Sequence, residues 1–124
     1  METKPESYKQ KLIHRLEKFS ILIIRLCSVF PKTPAGFAIA SQLIRSSTSI
    51  GANMIEAQDA SSRKDFLHDV NISLREAKET QYWLSLVHAS FQNLSSATLN
   101  ELEKENAELV ALLTSTVRKT KQSL

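Results

Sequence analysis

Glycine and proline together supply only five of 124 residues: Pro5, Pro31, Pro34, Gly36 and Gly51. A chain so poor in breakers has few places to turn. Long helices joined by a few short connections are what it can form. No alternating strand pattern of apolar and polar residues occurs anywhere. With 42% hydrophobic residues, the chain is neither disordered nor fibrous. Its length suits one domain with a real core, over residues 1–124, with 1–7 as a flexible lead-in.

Periodicity places the helices. From Tyr8 to Val29 the residues Leu12, Leu16, Phe19, Ile23, Leu26 and Phe30 repeat by alternating fours and threes, the spacing of a core stripe. Ile13, Ile21, Leu22, Ile24 and Val29 fall outside that stripe. The first helix is therefore apolar on more than one face, which implies a second contact. Pro31 and Pro34 bracket the first connection. Thr33 before Pro34 reads as an N-cap with proline at the first helical position, opening a second helix over Pro34–Gln58.

That second helix is unusual. Between Thr33 and Gln58 only Arg45 and Glu56 are charged. Ser46, Ser47, Thr48, Ser49 and Gly51 are poor helix formers. Such a segment needs tertiary contacts to hold it, so enclosure by its own bundle and by another subunit is expected. Ala40, Ile44, Ser47, Gly51 and Met54 share one narrow face, where small residues admit a close neighbour. Arg45, Ser49, Asn53 and Glu56 share the opposite face.

Ser61 or Ser62 starts a third helix over Arg63–Ser90, and Ser62 with Asp65 fits a capping box with Asp in place of the usual Glu. Its core positions are Phe66 or Leu67, Val70, Leu74, Ala77, Leu84 and Val87, with Tyr82 and Trp83 beside them. Asn93 to Ser96 form the last connection. Thr98 with Glu101 reads as a capping box for a fourth helix over Leu99–Lys119, with Leu102, Leu109, Leu112 or Leu113, and Val117 inward. Short connections favour antiparallel neighbours, so the expected fold is all-α, an up-down-up-down four-helix bundle.

Antiparallel topology sorts the charge. One end of the bundle gathers Lys4, Lys9, Lys11, Arg15, Arg63, Lys64, Arg118, Lys119 and Lys121. The net charge of +3 is mild, but its concentration at a pole is what a phosphate backbone would meet. The plainer reading is a set of solvated helix ends.

Catalytic chemistry finds little support. Di-iron bundles need paired Glu-x-x-His motifs, and the nearest approach is the single Asp65-x-x-His68. His14 and His88 lack a carboxylate at that spacing. No metal and no cofactor are expected. Cys27, the one cysteine, sits in an apolar stretch and reads as a buried inert thiol in a reducing, cytoplasmic compartment. There is no glycine-rich phosphate loop. Tyr82 and Trp83 could stack on bases, but aromatics at helical spacing read first as core or interface. The first eleven residues are polar and lack a signal peptide's apolar core. No apolar run is long enough to span a membrane. If the second helix is enclosed, Arg45 needs a carboxylate, and Glu76 or Glu79 is the candidate. Together with Ser49, Asn53 and Glu56 these form an expected structural polar network, the alternative being a ligand or RNA contact.

The stretch from Gln42 to Leu84 resembles the bacterial 23S rRNA intervening-sequence protein family. The likeness rests on Arg45, Ser49-Ile50, Asn53 and Glu56-Ala57, followed by Phe66, Glu76, Glu79 and Trp83-Leu84. Gln58 stands where many relatives carry glycine. The detailed likeness covers about a third of the chain; the first and fourth helices match in length and pattern. The resemblance implies a cytosolic bundle that assembles as a homopentameric ring without enzymatic activity. A similar branch is the accessory variability protein of diversity-generating retroelements, which works with a reverse transcriptase and its RNA. The expected function is therefore association with RNA or DNA through a basic surface. A protein-interaction scaffold docking a partner such as a reverse transcriptase is the alternative.

Overall fold

The computed structural model describes residues 4–124; residues 1–3 of the expected lead-in lie outside it. Four helices follow one another: α1 (Tyr8–Cys27), α2 (Pro34–Gln58), α3 (Arg63–Ser90) and α4 (Ser96–Gln122). No strand occurs among the described residues. Each helix packs on its neighbours in sequence, and α1 meets α4 along a shorter stretch to close the bundle. Two end contacts fix the up-down-up-down order. At one end Phe30 and Phe91, from the first and third connections, stack edge to face with centroids 5.0 Å apart. At the other, Arg63 Nη1 at the start of α3 donates to the Ser123 carbonyl just beyond α4 at 2.7 Å.

Local chemistry sets the helix ends. Thr33 Oγ1 accepts from the Gly36 amide at 3.1 Å, with Pro34 in the first turn. Ser62 Oγ accepts from the Asp65 amide at 3.1 Å. Asp65 does not complete the expected box, because its carboxylate accepts instead from Ser61 Oγ at 2.7 Å. That hydrogen bond, with Ser62's, holds the exposed carboxyl below its usual range. The expected box of Thr98 and Glu101 is not formed. The N-cap is Ser95, whose Oγ accepts from the Thr98 amide at 3.3 Å, so α4 starts three residues earlier than expected and ends three later. A full capping box at Ser7 and Gln10, not anticipated from the sequence, opens α1. At its other end α1 stops at Cys27, and Val29 and Phe30 continue as turns.

The core is the expected stripe of α1, apart from the half-buried Leu12, together with Val70, Leu74, Ala77, Leu84 and Val87 of α3. In α4 it takes Leu99, Leu102, Leu109, Leu113 and Val117. The buried face of α2 coincides only in part with its small-residue face. Leu43, Ser46, Ser47, Ile50, Met54 and Ala57 are buried, whereas Ala40, Ile44 and Gly51 are half-buried. The centre of the buried face lies roughly 70° around the helix from that of the small-residue face. α2 packs most extensively on α3, and the small-residue face turns to the α1 flank, where it meets the close neighbour expected of it. There a Cβ on Gly51 would lie 3.5 Å from Leu16 Cβ.

The interior holds a polar layer at the α2, α3 and α4 contacts. Ser46, Ser73, Thr80 and Asn106 are all fully buried. Thr80 Oγ1 donates to Ser46 Oγ at 2.9 Å and Ser73 Oγ to the Ile50 carbonyl at 2.8 Å. Short hydroxyl side chains replace large apolar ones there, so the α2 and α3 backbones approach each other.

Candidate nucleic-acid interface

Of the nine cations placed at one pole, two are engaged. Arg15 is half-buried and clamps α1 to α4. Its Nε and Nη2 donate to Glu105 at 2.8 and 2.6 Å, and Nη2 also reaches Glu108 at 2.7 Å. The hydrogen bonds to Glu105 raise its pKa further above an already high value. Arg63 bonds the Ser123 carbonyl. Lys4, Lys9, Lys11, Lys64, Arg118, Lys119 and Lys121 are exposed. Among the described residues none of these seven is paired with a carboxylate. The helical extension of α4 puts Lys119 and Lys121 in its last turn, where the helix dipole favours cations.

The same end also carries the acids Glu6, Glu56, Asp59, Asp65 and Asp69. Glu6 pairs with His14 of α1. The others sit at the end of α2 and the start of α3. The pole is therefore divided, with its unpaired cations concentrated where α1 begins and α4 ends.

The second set of expected residues lies on the outside of α2 and α3. Arg45 Nη1 donates to Glu76 Oε2 at 3.2 Å, Nη2 pairs with Glu79, and Nε donates to Gln42 Oε1 at 3.2 Å. Trp83 Nε1 donates to the same Glu79 oxygen at 2.9 Å. The sequence does not place Gln42 and Trp83 in this network, although Gln42 precedes Arg45 by three and Trp83 follows Glu79 by four. Ser49 and Asn53 instead bond their own helix: Ser49 Oγ donates to the Arg45 carbonyl and Asn53 Nδ2 to the Ser49 carbonyl, each at 2.7 Å. Glu56 is exposed and makes no bond to the cluster. The Arg45 side chain is 47% exposed in the single chain, which limits what the pairs add. A double-mutant cycle of Arg45→Ala and Glu76→Ala, read by urea unfolding, should return a coupling of about 0.5–1 kcal/mol. No coupling would mean that the pair does not join the helices.

Three further features bear on chemistry. Among the described residues no cluster of three or more His, Cys, Asp or Glu could hold a metal ion, and no helix is long and apolar enough to cross a membrane. Cys27 is buried, and burial pushes its thiol up to about 11, leaving almost no thiolate at neutral pH. Where α1 and α4 part, a cleft of about 480 Å³ opens, lined by Leu22, Arg25, Leu26, Val29, Leu94 and Leu102 among others. Ile21, Leu22 and Ile24 of α1 and Val29 just beyond it are exposed, as are Phe37 and Ile55 of α2.

The chain is similar to a crystallised protein of unknown function from the S23 ribosomal protein family of Bacteroides thetaiotaomicron. Identity is 32%, the likeness covers 89% of this chain and 97% of that one, and the TM-score is 0.79. No curated protein matches. Residues 9–115, which span all of α2 and α3 and most of α1 and α4, match one family throughout. The chain belongs to the 23S rRNA-intervening sequence protein family.

Proposed function

We propose that this protein is a non-catalytic, oligomeric, cytoplasmic bundle that associates with RNA or DNA through a basic surface. The observation that carries the reading is the group of unpaired cations at one end, above all Lys9, Lys11, Arg118, Lys119 and Lys121. They are exposed, lie at the start of α1 and the end of α4, and have no carboxylate partner among the described residues. The family's name, tied to intervening sequences of ribosomal RNA, points the same way. A pentameric ring, implied by resemblance to the family, would repeat the basic surface around an axis and multiply phosphate contacts.

Binding of this kind displaces counterions. With six or more phosphates contacted, affinity for a structured RNA should fall roughly 10³-fold or more between about 50 and 200 mM salt. Replacing Lys9, Lys11, Lys119 and Lys121 with glutamine should weaken binding to different RNA sequences alike and flatten the salt slope. Salt-independent binding would overturn the mechanism. Solution mass, measured alongside, should be near five subunits.

The exposed apolar residues of α1 and the adjoining cleft favour a second reading. In it the ring is a scaffold for a protein partner such as a reverse transcriptase, and RNA contact is secondary. Capture of that partner by the glutamine variant would favour the scaffold.

A further inference from the structure

The outer face of α3 differs from an ordinary solvated helix face. Lys64, His68, Asn71, Arg75, Lys78 and Tyr82 fall within an arc of roughly 80° at 3.6 residues per turn. All are exposed except Asn71, which is half-buried. Solvent faces usually intersperse both signs of charge. This stripe runs about 27 Å without a carboxylate. The acids of α3, Asp65, Asp69, Glu76 and Glu79, all lie to one side of it. Glu76 and Glu79 are on the α2 flank, where Arg45 occupies them.

The stripe begins at Lys64 at the start of α3, at the end of the bundle where α1 begins and α4 ends, and finishes on an aromatic side chain. Tyr82 is 57% exposed, although aromatics at this spacing read from sequence as core or interface. Its ring is held by an edge-to-face contact with Trp83, centroids 5.1 Å apart. Trp83 is in turn fixed by its bond to Glu79. An exposed aromatic ring that is buttressed from behind and flanked by cations meets the two needs of a single nucleic-acid strand. Arg75 and Lys78 offer charge to phosphates, and Tyr82 offers a face for a base. Arg75 and Lys78 are unpaired among the described residues.

The geometry points to the outer stripe of α3 as a path for single-stranded nucleic acid, leading from the basic end to a base-stacking position at Tyr82. This rests on the proposed association with nucleic acid and deepens it, because it names a second contact surface and an unpaired strand as its ligand.

Trp83 is the sole tryptophan and touches Tyr82, so its emission reports on that position. Unstructured uridine and adenosine oligonucleotides, labelled for anisotropy, would be titrated at low salt while Trp83 emission is followed. Binding should be accompanied by a change in Trp83 emission. Tyr82→Ala should weaken binding roughly 5- to 150-fold, the range for loss of one stacked base, and Tyr82→Phe should retain it. Arg75→Gln with Lys78→Gln should reduce the salt slope by about 1.4, at 0.7 for each single-strand contact. All four substitutions are of exposed residues, and an unchanged unfolding midpoint would verify folding.

Salt-sensitive binding with unmoved Trp83 emission and an unaffected Tyr82→Ala would overturn the stripe and leave the basic-end reading standing. A fall in solution mass for Tyr82→Ala, with RNA affinity unchanged, would make this face a protein interface and likewise overturn it. Failure of the native protein to bind any RNA, structured or not, would remove both.

Discussion

Asn106→Asp is expected to destabilise the protein by about 3–5 kcal/mol at neutral pH, the usual consequence of an uncompensated buried charge. Asn106 is fully buried between α4 and α3. Its Nδ2 donates to the Ala77 carbonyl at 3.0 Å, and among the described residues its Oδ1 has no hydrogen-bond partner. A carboxylate there would lose the amide donor and face that carbonyl. Burial raises the pKa of such an acid. The folded state then binds more protons than the unfolded state, so stability falls as pH rises from about 3.9 towards the raised value. The penalty should therefore shrink in acid, as seen in urea unfolding midpoints for the variant and the native chain at matched pH. Asn106→Leu should act in the opposite direction. It removes the orphaned oxygen, a relief of about 1–3 kcal/mol, and gives up one hydrogen bond worth about 1 kcal/mol. With the added apolar burial offset by some overpacking, a net gain of about 1 kcal/mol is expected. A loss on Asn106→Leu would mean that the oxygen has a partner.

Gly36→Ala should also be costly, against the general rule. Alanine in place of glycine within a helix commonly adds about 1 kcal/mol. Gly36 is buried in the first turn of α2, and a Cβ there would fall 1.9 Å from the Pro31 carbonyl oxygen and 3.0 Å from its carbon. Backbone, not a flexible side chain, blocks the space. The connection must move, straining the Thr33 cap that holds the Gly36 amide. Overpacking of about 1–3 kcal/mol and partial loss of a cap worth about 1 kcal/mol together exceed the propensity gain. Gly51→Ala is the internal control. Its Cβ would meet Leu16 Cβ at 3.5 Å, an ordinary contact, so about 0.5–1 kcal/mol of stabilisation is expected. Thermal unfolding at one protein concentration compares the two. Shifts of the same sign would contradict the close approach at Pro31.

Much of the architecture was legible because it is written locally. The α1 stripe from Leu16 to Phe30 is periodic, and Thr33-Pro34 and Ser62 are strong start signals, so the bounds of α2 and α3 could be read directly. The start of α4 could not. Ser95 and Thr98 are both acceptable caps, and choosing between them depends on where the chain leaves Phe91, which is held by Phe30 across the end of the bundle.

The candidate site was legible in part. Helix direction sorts Lys9, Lys11, Lys119 and Lys121 to one end, and the likeness of the α2 and α3 segments draws attention to Arg45, Glu76 and Glu79. Sequence separation hides which charges are spent. Arg15 and Glu105 lie 90 residues apart, and only the closing of α1 on α4 brings them together.

The sequence by itself determined four helices, their antiparallel order and an α1 with apolar residues to spare, since periodicity, caps and short connections act over a few residues each. Only the tertiary structure decided which face of α2 turns inward, which polar side chains enter the core and which cations stay free. These depend on how closely two backbones approach. Ser46 and Thr80, 34 residues apart in the chain, meet at 2.9 Å in the interior because both are small enough to let α2 and α3 come together there.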